Sequence, residues 1–325
     1  MNRIMNKQIP MEESHIFNNL KKISHEPLNK KAERILHECI RSDLPVCSKN
    51  VRIVLAMSSD LNINFSDIAY IILEDPGMTL NFLKVGNSAF YAPGKQRVIS
   101  MQNILVLLGI DNIVSNIMGF PQIKIDGFNK LSKKNPIFSL NLSLTAFKMK
   151  VGLEIAQILS IDSQSLAACL SSIDIGFLLL SYNQPHVARF LFSLASKENV
   201  MLKTAKRLTG WSPHQLSLEI VRLWNFPILI RRCILASVDV RHENNGIIEQ
   251  LTVFINGWVK ATILKKNLDS ANLQIYYLEK IKDKTEIKYN KLSMILKNAI
   301  DKFKSNSPFF YNILDQYGFF KNLTI

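Results

Sequence analysis

Helical periodicity is the feature that most limits what this chain can fold into. Apolar residues recur every three or four positions through most of its length, and runs that alternate apolar with polar residues are nearly absent. In the segment SPHQLSLEIVRLW, for example, Leu216, Ile220 and Leu223 are spaced to lie on one face of a helix. With 47% hydrophobic residues, the chain can also bury a substantial core. The sequence therefore predicts an all-α fold, a compact bundle of many helices.

The apolar runs are short. The longest of them, such as residues 104–108 and 177–180, fall far below the roughly 18 to 20 residues that span a bilayer. The opening MNRIMNKQIPMEESH lacks the apolar centre of a signal peptide. The four cysteines form no C-x-x-C pair and are expected to be reduced. We therefore predict a cytoplasmic protein with no membrane span.

Capping residues mark where several helices begin. Asn64 precedes FSDIAYIIL, and Asp75 is followed by Pro76, a residue that suits the first position of a helix. Ser212, three residues before Gln215, is typical of a capping box. These signals predict short helices joined by turns of two or three residues.

Glycine and proline indicate where helices end and where the chain divides. Ser100 is predicted to start the helix MQNILVLL, and Gly109 to end it in a left-handed conformation before Asp111 caps another helix. The segment PQIKIDGFNKLSKKNP is polar, with a proline at each end, and is expected to connect two lobes. The predicted organisation is a lead or helix at 1–42, a two-lobed domain at 43–260 (lobes 43–120 and 137–260, connection 121–136) and a basic helical C-terminal segment at 261–325.

The stretch ILEDPGMTLNFLKVGNSAFY could be a site or a piece of scaffold. Asp75 is expected to cap its helix, and Leu80 and Leu83 to be buried in the core. Phe90 and Tyr91 are predicted to be core or interface aromatics rather than a ligand-stacking platform, although a partner surface around them stays open. We interpret the stretch as scaffold.

The formal net charge of +14 is densest near the C-terminus. Residues 260–325 carry 12 lysines and 6 acidic residues, whereas the much longer segment 41–259 carries 21 basic and 15 acidic residues. Such a charge favours an acidic partner. The lysines in EKIKDKTEIKYNKL are nevertheless also typical of the solvated face of a helix, and no arginine cluster accompanies them. A nucleic-acid partner is therefore possible but not favoured.

Three ordered segments resemble the signature of the HDOD family, the HD-related output domains. They are EDPGMTLNFLKVGNSAFY, VISMQNILVLLGIDNI and GWSPHQLSLEIVRLWNFP, and the resemblance spans about residues 43–260. Asn87 and Ser88 belong to the first segment and are expected to end its helix. The matching signature residues are Asp75, Pro76, Asn87, Ser88, Gly109, Trp224 and Pro227.

HDOD domains are similar in fold to HD-superfamily phosphohydrolases, which bind a divalent metal through a His, an adjacent His-Asp pair and a further Asp. The resemblance places Asn141 at the first His position. The His-Asp pair falls on Ile173 and Asp174, and a helix His of the family falls on His214. The positions where a pair of histidines often follows hold Ser237 and Val238.

Asp174 and His214 are thus the two remnants of the metal site. A catalytic metal needs about three protein ligands, so we predict no metal ligand, no catalytic residue and no cofactor-binding residue. Asp174 is expected to be a satisfied polar group near a helix end, and His214 a first-turn residue of its helix. No cofactor is expected.

The resemblance implies a non-catalytic bacterial regulatory protein that acts through protein–protein interaction. Its partners would be a response regulator, a sensor kinase or a cyclic-dinucleotide enzyme, supplied in trans. Two alternatives stay open. One is a divergent metal-dependent phosphohydrolase, and the other is a nucleic-acid-binding regulator that uses the lysine-rich segment.

Overall fold

The computed structural model describes residues 28–60, 62, 64–92, 97–123, 132–238, 246–264, 289–321 and 323. The N-terminal lead up to residue 27, the middle of the predicted connection and most of EKIKDKTEIKYNKL lie outside the described residues. In the described part nearly all regular structure is helical, which confirms the all-α prediction.

The first half of the described chain contains six helices and two very short strands. These elements are α1 (Leu28–Arg41), β1 (Val46–Cys47), α2 (Ser48–Ser58), α3 (Phe65–Leu73), α4 (Pro76–Gly86), α5 (Met101–Leu108), α6 (Ile110–Gly119) and β2 (Gln122–Ile123). The two strands pair in parallel, with Val46 opposite Gln122 and Cys47 opposite Ile123.

The second half is built on one long helix. Its elements are α7 (Pro136–Leu159), α8 (Ser163–Ser172), α9 (Ile175–Asn183), α10 (Pro185–Ser193), α11 (Glu198–Thr209), α12 (Pro213–Leu223), α13 (Ile228–Val238), α14 (Ile247–Ile263), α15 (Tyr289–Asn306) and α16 (Pro308–Gln316). α7 packs against α8, α14, α15 and α16, so it lies at the centre of the molecule.

Most of the predicted helix starts are confirmed. The Asn64 side chain accepts a hydrogen bond from the Ser66 N–H at 3.0 Å. Asp75 caps α4 with Pro76 in the first turn. Ser212 forms the expected capping box with its helix. Short-range capping chemistry therefore sets the beginning of these helices, because each cap satisfies a backbone N–H that has no partner within the helix.

Three local predictions are wrong. Asp111 lies inside α6, whose N-cap is Gly109, with φ of 73° and ψ of 164°. Leu223 is 36% exposed because its helix turns Val221 and Trp224 toward the core instead. Phe90 is 82% exposed, with its ring edge-on to that of Tyr91, so it is a surface residue and not a core aromatic.

Helix α15 and the turn that follows α16 complete the core around Phe147 of α7. The rings of Phe303 and Phe319 lie with their centroids 5.3 and 5.2 Å from that of Phe147, each in an edge-to-face arrangement. All three side chains are fully or almost fully buried. The described part of the C-terminal segment is therefore integrated into the fold through aromatic packing.

A network of charges also joins distant elements across α7. Lys150 bonds Glu74, the residue directly after α3, at 2.9 Å, and Lys302 of α15 bonds Glu154 at 2.6 Å. Among the described residues, no single helix has both the length and the apolar character to cross a membrane. Two bent pairs of helices, α5 with α6 and α8 with α9, have the length and composition of a span only when each pair is taken together.

Candidate functional site

A cavity of about 310 Å³ lies beside α7, with walls from α9, α10, α11, α12, α13 and α14. We call it the α7–α14 cavity. Four of the positions carried over from the metal-binding superfamily line it together, although they are far apart in sequence: Asn141, Asp174, His214 and Ser237.

The two other carried-over positions do not line the cavity. Ile173 is fully buried in the core, and Val238 is 56% exposed at the end of α13. The structure therefore brings four of the six carried-over positions together around one cavity and leaves two of them outside it.

Asp174 is held by two ammonium groups. Its Oδ2 accepts a hydrogen bond from Lys148 Nζ at 2.9 Å, and its Oδ1 accepts one from Lys260 Nζ at 2.7 Å. Lys148 Nζ also donates to Asn256 Oδ1 at 3.1 Å. Because α7 supplies Lys148 and α14 supplies Lys260, this cluster joins two helices at the N-terminus of α9.

Burial and charge act on these groups in opposite directions. Burial raises the pKa of the Asp174 carboxyl, but the positive charges of Lys148 and Lys260 outweigh it and hold that pKa well below its usual range. Burial lowers the pKa of the Lys148 ammonium, and the Asp174 charge opposes this shift. Asp174 is 22% exposed and Lys148 4%, so the pair is only weakly screened by water.

His214 lies in the first turn of α12, as predicted. Burial lowers the pKa of its imidazole, and the nearby Lys260 charge lowers it further, while Asp174 and Glu198 oppose the shift. The imidazole is therefore neutral near pH 7.

Close packing holds α12 against the start of α9. A Cβ at Gly176 would lie 2.4 Å from the Pro213 carbonyl oxygen, so only glycine permits this approach. The Gly176 N–H donates to Ser217 Oγ at 2.9 Å. This contact brings His214 and Asp174 to the same cavity.

The side chains in the cavity do not fit a divalent metal. Both Asp174 oxygens already accept hydrogen bonds from ammonium groups, whose charge opposes a cation at the same place. Among the described residues of the lining, His214 is the only one with an imidazole, and Asn141 and Ser237 offer weak neutral ligands. No group of three or more His, Cys, Asp or Glu residues suited to a metal occurs in the described part of the chain.

Sequence reasoning missed the two lysines that define the site. Asn141, Thr145 and Lys148 follow one another at helical spacing on α7, and Asn256 and Lys260 do so on α14. These polar stripes on otherwise apolar helices were the available signal. Periodicity alone does not say that the two stripes face each other.

The predicted signature residues lie apart from the cavity and bond to backbone. Asp75 accepts hydrogen bonds from the N–H groups of Met78 at 3.1 Å and Cys47 at 2.7 Å. Asn87 bonds both the N–H and the carbonyl oxygen of Val98, each at 2.8 Å. These side chains fasten α4 to the segments on either side of it.

The other signature residues also have structural contacts. The Trp224 indole donates to the Ile40 carbonyl oxygen at 3.1 Å, and its ring lies under Lys84 Nζ, 4.8 Å from the centroid. Pro227 is buried just after it. The Ser88 carbonyl oxygen accepts from the Ala92 N–H at 2.9 Å.

The helical bundle and its backbone-bonding signature residues indicate the class of protein. Residues 44–240, more than half of the chain, match the sequence profile of the HDOD domain. The chain belongs to the HDOD family.

Two solved structures are similar in fold. The response regulator MmoQ from Methylococcus capsulatus strain Bath has a TM-score of 0.60 at 13% identity, covering 79% of this chain and 99% of its own. A virulence factor, cj0248, from Campylobacter jejuni subsp. jejuni has a TM-score of 0.60 at 17% identity, covering 85% of this chain and 98% of its own. At these identities the likeness concerns the fold alone. None of the curated protein sequences matches the chain significantly.

Proposed function

We propose that this chain is a non-catalytic regulatory protein of bacterial signal transduction that acts by binding other proteins. The observation that carries the proposal is the engagement of both Asp174 oxygens by Lys148 and Lys260. Metal-dependent hydrolysis requires a bound metal ion that activates a water molecule. In this cluster both carboxylate oxygens already accept hydrogen bonds from ammonium groups, and the positive charge of these groups opposes a divalent cation.

The names of the similar structures support a regulatory setting. MmoQ is called a response regulator and cj0248 a virulence factor, and these names describe those proteins. For this chain, the partner classes are a response regulator, a sensor kinase or a cyclic-dinucleotide enzyme, supplied in trans. The partner surface would then lie on the outside of the bundle, since the cavity is too small to admit a protein segment of any size.

The proposal is tested first by catalysis. Wild type, Asp174→Asn and the control Glu219→Gln are incubated with a panel of phosphoesters and cyclic dinucleotides, with added Mn²⁺ or Mg²⁺. Glu219 is a suitable control because it pairs with Arg222 on the surface of α12, outside the cavity. We expect no turnover by any of the three proteins. Turnover by wild type and Glu219→Gln that is lost in Asp174→Asn would overturn the proposal.

Binding is tested second, by affinity capture from the native cell followed by mass spectrometry. We expect a regulatory protein of one of the three partner classes to be captured by wild type. Asp174→Asn should capture it equally well if the variant is folded, because the partner does not enter the cavity. Capture of none of the three classes would contradict the proposed mode of action.

A further inference from the structure

The polar end of the α7–α14 cavity has more hydrogen-bond donors than acceptors. Lys148 Nζ uses two of its three N–H groups, on Asp174 and Asn256. Lys260 Nζ donates to Asp174, and no other bond of this ammonium is found among the described residues. The Asn141 side-chain Nδ2 is buried and has no hydrogen-bond partner there. A buried donor without an acceptor is costly, so this end of the cavity is suited to an acceptor-rich ligand.

The charge at this end is positive. Two ammonium groups face one carboxylate, which leaves one positive charge in surplus. The neutral His214 adds none. Glu198 also lines the cavity, but it is an exposed residue at the start of α11, where water screens its charge. A monoanion would neutralise the one surplus positive charge, whereas a dianion would leave a negative charge uncompensated.

Most of the rest of the lining is apolar. It includes side chains from α7, α9, α10 and α14, and several of them are almost fully buried. The volume of about 310 Å³ is at the lower end of the range for small-molecule sites and equals that of about ten water molecules. The apolar residues that argue most directly for a hydrocarbon body are Leu144, Leu178, Leu191, Phe192, Val253 and Val259.

From this lining we infer that the α7–α14 cavity binds a small amphipathic carboxylate with a hydrocarbon body. The carboxylate would accept hydrogen bonds from the free N–H groups of Lys148 and Lys260. The hydrocarbon body would lie along the apolar walls. A ligand of about ten heavy atoms fills the volume. The inference rests on the proposed function, because a hydrolase would use the same cavity for its substrate.

Bound there, the carboxylate would join α7 to α14 and to the start of α9. It would stabilise the bundle by mass action, because the unfolded chain does not present the cavity. The cavity is thus a place where a metabolite with an acidic headgroup could alter the stability of a regulatory protein.

The probe for this inference is octanoate, which has ten heavy atoms. Its affinity for the full chain is measured by isothermal titration calorimetry, without added metal or phosphoester, beside that of 1-octanol and hexanoate. We expect octanoate to bind about tenfold more tightly than 1-octanol, because of the charge-assisted hydrogen bonds. We expect hexanoate, which lacks two of the methylenes, to bind about fifteenfold more weakly than octanoate, since each buried methylene adds roughly a factor of four.

Three variants locate the binding. Lys260→Met should lower the affinity for octanoate about tenfold while leaving that for 1-octanol unchanged. Ala195→Trp, which places a large side chain in the lining without touching the polar cluster, should weaken both ligands. The control Lys302→Met removes a half-exposed lysine that pairs with Glu154 outside the cavity, and it should bind like wild type.

Two outcomes would overturn the inference. One is no measurable binding of octanoate to folded wild type. The other is that octanoate and 1-octanol bind with equal affinity and that neither Ala195→Trp nor Lys260→Met changes these affinities. This result would mean that both ligands bind by adventitious hydrophobic contact outside the cavity. Phosphoester turnover would instead refute the proposed function, and that assay is independent of the calorimetry.

Discussion

Asp75 joins two segments of the chain through one buried carboxylate. It caps α4 through the Met78 N–H and also accepts from the Cys47 N–H at the end of β1. Asp75→Ala leaves both donors buried without this acceptor. We expect the free energy of unfolding to fall by about 2 to 4 kcal/mol, more than the loss of a helix cap alone.

Urea denaturation measures this loss. The control is Asp67→Ala, which removes an exposed first-turn carboxylate of α3 and should cost below about 1 kcal/mol. If Asp75→Ala were as mild as Asp67→Ala, the bond across to Cys47 would have no energetic importance.

Asp174 gives the protein a specific dependence on pH. Burial raises the folded-state pKa of Asp174, but the charges of Lys148 and Lys260 outweigh burial and lower it. The ionised carboxylate therefore stabilises the folded state fully above the unfolded pKa of about 3.9. This stabilisation is lost as the pH falls toward the folded pKa. Asp174→Asn should therefore cost about 2 to 4 kcal/mol at pH 7. The difference in free energy of unfolding between wild type and Asp174→Asn should decrease by about 1 kcal/mol between pH 4 and pH 3.

Denaturation of both proteins from pH 7 to pH 3 tests this dependence. The Glu219→Gln variant serves as a control, because Glu219 belongs to an exposed ion pair of small energetic value. A gap between wild type and Asp174→Asn that stays constant down to pH 3 would show that the carboxylate is not held by the two lysines.

At the scale of elements, the crossing of α9 and α12 depends on one glycine. A Cβ at Gly176 would meet the Pro213 carbonyl oxygen and the Ser217 N–H, 2.4 and 2.6 Å away, so the two helices would have to separate. We expect Gly176→Ala to lower stability by about 1 to 3 kcal/mol. The matched variant Gly119→Ala should have the opposite effect and raise stability by about 0.4 to 1 kcal/mol, and thermal melts of both variants measure the difference.

The control is matched because a Cβ at Gly119 would meet nothing within 4 Å, and Gly119 is also a helical residue. Equal effects of the two substitutions would mean that the helix crossing tolerates a side chain. In that case another contact would have to position His214 beside Asp174.

At the scale of the whole molecule, the C-terminal helices stabilise the core through Phe147. Phe319→Ala removes a fully buried ring that packs edge-on against Phe147, and we expect a loss of about 3 to 5 kcal/mol. Phe90→Ala, at an 82% exposed position, should stay within about 0.5 kcal/mol of wild type. Chemical denaturation of the two variants side by side tests the contrast, and comparable losses would contradict the described packing.

The features that the sequence predicts well are those that residues close together in the chain determine. The caps at Asp75 and Ser212 and the burial of Leu83 follow from signals within one or two helical turns. The exposure of Phe90 and the pairing of Lys148 with Asp174 depend on how distant helices pack, which periodicity does not specify. The cavity belongs to the second kind, because its lining comes from seven helices and the turns beside them.

We propose that the ammonium groups of Lys148 and Lys260, and not a metal ion, neutralise the Asp174 carboxylate in the α7–α14 cavity. Elemental analysis of the untagged protein, with Mn²⁺ titration of the same sample, tests it most directly. We expect far less than one metal ion per chain and no saturable Mn²⁺ binding that depends on the cavity. One Mn, Fe or Mg per chain in wild type, lost in the Asp174→Ala and His214→Ala double variant, would contradict it.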